Sequence, residues 1–425
     1  MASFLTALFS LSMWGTISRF YYDDKSDEQT KNLYSTVIYF LVIFLTITYT
    51  LLFFFTEPLA SLLEVKKKYV ILGIVISYFD IFFPHIIALF RVEEKAKKVA
   101  IIKTTLGIIG IILQVIFVIT FQNKILGFLS AKLVASVLCF LSFWYFSIQY
   151  LTKKFDFEKL SSYLKYGLHS LPGDIAAWLI NFADRFMLKK FTGNTTTGIY
   201  SVGYQLAQGQ NIIQNSINKA YVPYVFNRYS NVKDHQKELN DRAIELFALF
   251  TCIAALAIVF IKDFTQLFEQ SYQKLIYFFP IVIFSYLLNG YKLIFHNPLS
   301  YKKPFMKYKS LIWIGAAFLN IILNYFLIQK IAHYGAAIAT LCSFAFSLLL
   351  VLFLMSKAIK IKYSTPVFVK ILLVSVIFSS LYLLPHSLLN ILIKISFSAL
   401  YFTVLARLSN FDEYIKRKVN GIFTN

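Results

Sequence analysis

Hydrophobic and polar residues follow one another along this chain in long blocks. Continuous apolar stretches recur throughout it, separated by short polar connections. A helix of about 20 apolar residues spans a bilayer core, whereas barrel strands alternate polar and apolar residues over about ten positions. The pattern predicts about thirteen transmembrane helices, at residues 2–21, 33–55, 69–90, 99–121, 126–150, 167–188, 198–226, 241–261, 268–290, 305–328, 334–356, 364–384 and 387–406.

The composition favours a membrane protein over a soluble one. Hydrophobic residues make up 58% of the chain and charged residues 15%, with a mean hydropathy of +0.64. Ordinary globular chains are about 45–50% apolar and about 25% charged. Within lipid the backbone must satisfy its own hydrogen bonds, which a continuous apolar span does as a helix. The predicted fold class is therefore an all-α membrane protein.

The net charge of +21 reflects topology rather than nucleic-acid binding. Lysine and arginine cluster in alternate connections, 29 in one set and 9 in the other, with the remaining 4 in or beside spans. Basic residues are retained on the cytoplasmic side of membrane proteins. The sequence therefore predicts that the richer set and the C-terminus are cytoplasmic, and that the protein does not bind nucleic acid.

Common catalytic and metal-binding motifs are missing from the sequence. It contains no Walker A loop, no GxSxG elbow and no HExxH helix, each of which would place reactive groups at fixed spacing. Cys139, Cys252 and Cys342 lie singly in apolar stretches, and the six histidines form no pair at ligand spacing. We therefore expect neither an enzyme nor a metal or cofactor site.

The span near residue 180 carries an unusual polar stripe. Pro172 and Gly173 are predicted to break the chain near the start of this helix. Helical spacing of i, i+4, i+7 and i+11 then places four side chains on one face, with Asp184 beside them. The stripe consists of Asp174, Trp178, Asn181 and Arg185.

The next span is richer still in polar side chains, and Pro223 is predicted to end it. One of its faces carries Tyr204, Gln208, Asn211, Asn215 and Lys219. Two interpretations stay open at this point. The two helices line a water-accessible cavity whose amides and aromatics suit sugar hydroxyls, or the amides form a buried network that joins helices.

Other polar residues of the spans carry weaker expectations. Arg19 either lines the same cavity or extends to the cytoplasmic interface. Asp80 and His85 are expected to make helix-packing hydrogen bonds, with ion coupling as the alternative. Lys132 and Lys394 are expected to extend their ammonium groups to the membrane surface.

Several short motifs occur in order over nearly the whole chain. They are Ser18-Arg19-Phe20-Tyr21-Tyr22, Leu171-Pro172, Asp184-Arg185-Phe186, Gly198-Ile199-Tyr200-Ser201, Pro223, Asn320 with Asn324, and Gly335-Ala336-Ala337 with Thr340. Together they resemble the motifs of polysaccharide flippases of the multidrug/oligosaccharidyl-lipid/polysaccharide exporter superfamily.

The resemblance implies two six-helix bundles that form a V, followed by two further helices. The expected parts are an N-terminal bundle at 1–151, a C-terminal bundle at 152–356, and two spans with a cytoplasmic tail at 357–425. The family usually has fourteen spans with both ends cytoplasmic, and its first helix is missing here. A misplaced start codon or a truncated gene would explain this difference, and we expect a longer reading frame to encode one more span before Met1.

The resemblance also implies a substrate, a polyprenyl-pyrophosphate-linked oligosaccharide that moves to the outer leaflet of a bacterial inner membrane. Arg185, Lys219 and Arg19 are then candidates to bind its phosphates. Gln208, Asn211 and Asn215 are candidates to bind its sugars. A polysaccharide polymerase and a chain-length regulator are the expected protein partners.

Two rival functions stay open. A multidrug exporter of the same superfamily would favour acidic cavity residues, whereas Asp174 and Asp184 are offset here by Arg185 and Lys219. A membrane polymerase or acyltransferase would usually carry a large external loop, which the predicted spans do not leave room for.

The predicted orientation can be tested by single-cysteine labelling in a variant that lacks the three native cysteines. In intact cells an impermeant maleimide is expected to label Asn194→Cys but not Lys233→Cys, because the lysine distribution places residue 233 inside. Labelling of residue 233 without residue 194 would contradict the orientation.

Overall fold

The computed structural model describes residues 1–23, 26–231, 235–301, 308–358 and 363–409. These residues are helical throughout their regular parts, and no strand occurs among them. They form two compact units, Met1–Trp178 and Leu179–Asn425. The predicted all-α membrane fold is confirmed, whereas the three-part division at residues 151 and 356 stays a prediction. Lys233 and the C-terminal tail after residue 409 lie outside the described residues.

The first unit contains eight helices and the first part of a ninth. They are α1 (Ala2–Phe9), α2 (Met13–Phe20), α3 (Asp27–Phe54), α4 (Thr56–Leu63), α5 (Lys67–Asp80), α6 (Phe83–Val92), α7 (Ala96–Thr120), α8 (Lys124–Ser147) and α9 (Phe157–Thr192). A short 3-10 turn, Ile148–Tyr150, extends α8.

The second unit contains the end of α9 and six further helices. They are α10 (Asn194–Asn231), α11 (His235–Thr265), α12 (Leu275–Tyr301), α13 (Tyr308–Ala358), α14 (Thr365–Ser379) and α15 (Leu388–Leu408). Short 3-10 turns at Gln270–Lys274 and Ser380–Leu383 precede α12 and follow α14.

Several helices begin directly after a residue whose side chain accepts a hydrogen bond from a backbone N–H of the first turn. Ser26 precedes α3 and accepts from the N–H of Gln29. Asn123 does the same for α8, and Ser387 for α15. Such caps satisfy donors that have no partner within the helix.

Nine helices of the described chain are long and apolar enough to cross a membrane. One of the nine is α13, which is kinked at Ile331 and Ala332 and covers two predicted spans. Three predicted spans are not among the nine. The first corresponds to the two short helices α1 and α2, and the other two correspond to the polar helices α9 and α10. The exact count of thirteen stays a prediction.

The first predicted span is not one continuous helix. It breaks between α1 and α2, where Leu11 and Ser12 have φ values of 47° and 55°. The α9 backbone approaches this break so closely that a Cβ on Gly167 would lie 2.5 Å from the Leu11 carbonyl oxygen. The Thr16 hydroxyl donates to the Tyr163 carbonyl at 3.2 Å. Contacts with α9 therefore accompany the break, and the hydropathy pattern did not indicate them.

The third predicted span is also broken, between Asp80 and Phe83. His85 is completely buried behind the break, and its Nδ1 donates to the Ile81 carbonyl at 2.9 Å. The side chain of Asp80 hydrogen-bonds to Ser136 of α8. Asp80 thus joins two packed helices, as the packing interpretation expected. His85 bonds only to the backbone at the break, and its Nε2 has no hydrogen-bond partner among the described residues.

Two predicted helix ends are wrong. Pro172 lies inside α9, which continues without a break from Phe157 to Thr192. α10 likewise continues past residue 223 to Asn231. Proline is tolerated within membrane helices because neighbouring groups can satisfy the carbonyl that it leaves free.

The expectation for Lys394 is also wrong. Its side chain does not extend to the surface but is completely buried, with Nζ 2.7 Å from a carboxylate oxygen of Asp263. His386 lies 2.8 Å from the other oxygen of the same carboxylate. This ion pair joins α15 to the end of α11. The expectation for Lys132 stays a prediction.

Removing one member of the pair is expected to destabilise the protein more than removing both. A buried charge without its partner costs about 3–5 kcal/mol, whereas apolar replacement of a whole pair is often neutral. Lys394→Met should therefore lower the thermal unfolding midpoint in detergent, and Asp263→Leu combined with Lys394→Met should restore most of the loss. If the double variant were less stable than Lys394→Met, loss of the ion pair would not be the cause of the lower unfolding midpoint.

Candidate functional site

The second unit holds a cluster of polar side chains where α9 turns into α10. Gly193 alone separates the two helices and has a φ of 86°, a left-handed conformation that favours glycine. This tight connection brings the last turns of α9 beside the first turns of α10. Residues on either side of Gly193, such as Asp184 and Tyr200, can therefore meet.

Asp184 is completely buried at this junction. One of its carboxylate oxygens accepts from the Tyr200 hydroxyl at 2.8 Å, and the other accepts from the Arg185 backbone N–H at 2.8 Å. The Arg185 guanidinium lies 3.8 Å from the same carboxylate. Two hydrogen bonds and a nearby cation thus compensate for its removal from water.

Arg185 lies against aromatic rings and keeps 16% of its side chain exposed. Its guanidinium carbon is 4.4 Å from the centre of the Tyr204 ring and 5.0 Å from that of Phe182, within the range of cation–π attraction. It also donates to the carbonyl of Asn181. The Asn181 amide oxygen in turn accepts from the hydroxyls of Tyr204 at 3.4 Å and Tyr286 at 3.2 Å.

We call this arrangement the tyrosine cluster. It consists of Asn181, Asp184 and Arg185 of α9, Tyr200 and Tyr204 of α10, and Tyr286 of α12. Of these, Asn181, Asp184 and Arg185 were predicted site residues, and Tyr204 was predicted on the polar face of α10. Tyr200 and Tyr286 were not predicted to belong to the site. Tyr200 stands four residues before Tyr204, a helical spacing that could have indicated it.

Further along α10, amide side chains join this helix to α12. Asn289 donates to the side-chain oxygen of Asn211 at 3.1 Å, and Asn215 donates to the same oxygen at 2.8 Å. Asn297 donates to Asn218 at 2.7 Å. These contacts correspond to the buried amide network that the sequence left open as an alternative.

Two glutamines on the buried face of α10 are less completely paired. Gln210 donates to the Phe250 carbonyl at 3.3 Å, but its oxygen has no hydrogen-bond partner among the described residues. Gln214 is completely buried, and neither polar atom of its amide has such a partner in the described chain. It packs against Gly290, where a Cβ would lie 2.4 Å from the amide nitrogen. Packing between helices therefore does not account for every amide of α10.

Gln208 and Lys219 lie outside the tyrosine cluster. Gln208 is half-buried and Lys219 is exposed. Lys219 follows Tyr200 by nineteen positions in the same helix, which corresponds to about 28 Å along its axis. Because Asp184 is hydrogen-bonded to Tyr200, Lys219 is too far away to form an ion pair with it.

The other predicted site residues belong to the first unit. Asp174 accepts from the hydroxyl of Ser12 at the break between α1 and α2. The indole nitrogen of Trp178 donates to the Ser3 hydroxyl at 3.1 Å. The predicted stripe is thus divided, because Asp174 and Trp178 contact the first broken helix whereas Asn181 and Arg185 belong to the tyrosine cluster.

Arg19 is exposed at the end of α2, and its guanidinium lies 2.5 Å from Asp23. Whether Arg19 lines a cavity or extends to the cytoplasmic interface stays a prediction.

A family model described as polysaccharide biosynthesis protein matches residues 2–268. Lsg locus protein 1 of Haemophilus influenzae is 25% identical over 219 residues, which are 49% of this chain and 54% of that protein. The chain therefore spans about half the length of this curated relative.

Among solved structures, the lipid II flippase MurJ in an inward closed conformation is similar, with a TM-score of 0.73 and 19% identity over 95% of this chain and 90% of MurJ. A multidrug resistance MATE transporter of the MOP superfamily, facing inward, gives a TM-score of 0.65 and 14% identity over 84% of this chain and 89% of its own. The MATE transporter VcmN from Vibrio cholerae, in its bent form, gives a TM-score of 0.60 and 15% identity over 84% of this chain and 85% of its own. These likenesses show that the fold is shared.

Tyr200→Phe tests whether the tyrosine cluster is held together by its buried carboxylate. The variant removes a donor from Asp184, and an unsatisfied buried group costs about 1–3 kcal/mol. We expect a lower thermal unfolding midpoint for Tyr200→Phe than for Tyr277→Phe, whose side chain is 64% exposed. Equal midpoints would show that the Tyr200 hydroxyl contributes nothing.

Proposed function

We propose that this chain, which belongs to the polysaccharide biosynthesis protein family, is a flippase for a polyprenyl-pyrophosphate-linked oligosaccharide. In this proposal the repeat unit moves from the cytoplasmic to the outer leaflet of a bacterial inner membrane. The family membership and the fold shared with the lipid II flippase MurJ support a flippase over other membrane proteins. The C-terminus is proposed to be cytoplasmic, from the distribution of lysine and arginine.

The observation that carries the proposal is the polarity of α9 and α10. These helices have 36 and 38 residues, long enough to cross a bilayer, yet they are too polar to count among the nine apolar spans of the described chain. Charged and amide side chains at membrane depth are expensive, so they usually face a partner or a polar pathway. A sugar-pyrophosphate headgroup needs such a pathway, because hydrocarbon cannot solvate it.

Arg185 is the proposed phosphate ligand within the tyrosine cluster. A guanidinium offers five N–H donors in a planar fork, which matches phosphate geometry. One donor is directed to the Asn181 carbonyl, and contact with two rings fixes the plane of the group. The exposed part of this side chain is where a phosphate oxygen would approach.

Lys219 is proposed to bind the same pyrophosphate at a different stage. Lys219 lies fifteen positions after Tyr204, the α10 ring against which Arg185 packs, or about 22 Å along the helix axis. This distance is too long for one pyrophosphate to contact both cations. Alternating access, in which opposite sides of the membrane open in turn, would bring the headgroup to the two cations in succession.

The sugars are proposed to contact the half-buried amides of α10, Gln208, Asn211 and Asn215. The amide of Gln214, which has no hydrogen-bond partner among the described residues, supports a polar pathway at this level, because a purely packing interface would leave that group unsatisfied at a cost. In the first unit, Asp174, Trp178 and Arg19 are proposed as further headgroup contacts. A polymerase and a chain-length regulator are the proposed protein partners.

A multidrug exporter is the second candidate function. The shared fold with MATE transporters and the buried carboxylate of Asp184 favour it. Arg185 beside that carboxylate opposes it, since the guanidinium offsets the negative charge that a cationic drug would seek. Drug accumulation in cells that express the protein separates the two candidates.

Alanine at either proposed cation should reduce surface polysaccharide in a cell whose only flippase is this protein. A hydrogen bond to a charged group contributes about 1.5–3 kcal/mol, so binding should weaken roughly ten- to hundredfold in Arg185→Ala and in Lys219→Ala. Lys219→Arg should keep partial activity because it keeps the charge. Surface glycan is measured by immunoblot at matched protein levels in the membrane.

Lys190→Ala is the matched control, since Lys190 is an exposed cation near the end of the same helix as Arg185. It should leave surface glycan unchanged. Normal glycan in Arg185→Ala and Lys219→Ala would overturn the assignment of the phosphate ligands. Drug efflux without any effect on glycan would overturn the proposed function itself.

A further inference from the structure

A groove of about 550 Å³ lies in the first unit where α6 gives way to α7. Glu94 turns the chain there with a φ of 59°. The groove has a basic rim and an apolar wall, formed by Lys95, Lys97 and Lys98 and by Ile101, Ile102 and Phe146. None of these residues takes part in the site described above.

The three lysines of the groove differ in their contacts and exposure. Lys95 donates to the Tyr150 hydroxyl at 3.0 Å and lies 2.9 Å from the Glu93 carboxylate. These hydrogen bonds, to Tyr150 and then to Glu93, raise the pKa of Lys95, so its ammonium is charged at neutral pH. Lys97 is exposed.

Lys98 is positioned by aromatic rings. Its ammonium lies 4.3 Å from the centre of the Phe90 ring and 4.5 Å from that of Phe146. Glu94 is the acidic residue of the lining, so the lining carries a net charge of +2. The groove is therefore suited to an anion that lies close to an apolar surface.

The apolar wall continues along α7. Almost none of the central part of this helix is buried inside the protein. Ile101, Ile108 and Ile111 are 56%, 53% and 63% exposed, on a helix apolar enough to cross a membrane. The surface that leads away from the lysines is therefore suited to hydrocarbon.

We propose that this groove binds an anionic phospholipid, with the phosphate between Lys97 and Lys98 and an acyl chain along Ile101 and α7. Charge complementarity selects the headgroup, because lysines near a membrane surface attract acidic lipids. The apolar wall selects a lipid over a free phosphate. The groove belongs to the connection between the third and fourth predicted spans, which the distribution of lysine and arginine predicts to be cytoplasmic.

The test uses the purified full chain and phosphatidylglycerol or phosphatidylcholine, with retained lipid counted by native mass spectrometry. The variant is Lys97→Gln with Lys98→Gln, which leaves the contacts of Lys95 intact. The control is Lys66→Gln with Lys68→Gln, from an exposed three-lysine run that leaves the ion pair of Lys67 with Glu57 intact. Thermal unfolding without added lipid checks that both variants fold.

Each lysine near an anionic lipid contributes about fivefold in affinity, so the groove variant should bind phosphatidylglycerol roughly 25-fold more weakly. The control variant should bind phosphatidylglycerol as tightly as the unchanged protein does. Phosphatidylcholine should bind weakly to the unchanged protein and to both variants. Equal losses in the two variants, or equal binding of the two lipids, would overturn the proposal. Retention of added undecaprenyl pyrophosphate but not of phosphatidylglycerol would overturn it too, by assigning the groove to a substrate.

Discussion

Polar groups in the spans of this protein need partners from the protein, because hydrocarbon offers none. This constraint explains two buried polar contacts that stabilise the second unit. The buried carboxylate of Asp184 is held by Tyr200 and the Arg185 backbone, and the buried ammonium of Lys394 is held by Asp263. The two arrangements differ in accessibility. Lys394 is completely buried, whereas Arg185 keeps an exposed portion that a ligand can reach.

The sequence predicted the membrane class and the positions of most helices because hydropathy depends on local composition. It did not predict the break at Leu11 and Ser12, where neither proline nor glycine stands in the chain. That break is accompanied by contacts with Gly167 and Asp174, more than 150 positions away. Local patterns cannot contain such information. The prediction for Pro172 was wrong for the converse reason. The local pattern indicated a helix break, but the proline lies within a long continuous helix.

The candidate site was predicted in part for the same reason. Helical spacing placed Asn181 and Arg185 on one face of a helix, and the two residues are in contact on successive turns of α9. It could not show that Tyr286 completes the cluster, since this residue lies about a hundred positions further along the chain. Nor could spacing separate amides that join helices, such as Asn211 with Asn289, from amides such as Gln214 that have no protein partner among the described residues.

In the proposed function, the headgroup of a polyprenyl-pyrophosphate-linked sugar contacts the tyrosine cluster. Photo-crosslinking in membranes tests it directly, with a polyprenyl-pyrophosphate sugar that carries a diazirine on the first sugar and with peptide mapping by mass spectrometry. We expect crosslinks in the last turns of α9 and the first turns of α10, and we expect them to be lost when the pyrophosphate is replaced by a neutral linkage. Crosslinks confined to other helices, or unchanged with the neutral linkage, would contradict it.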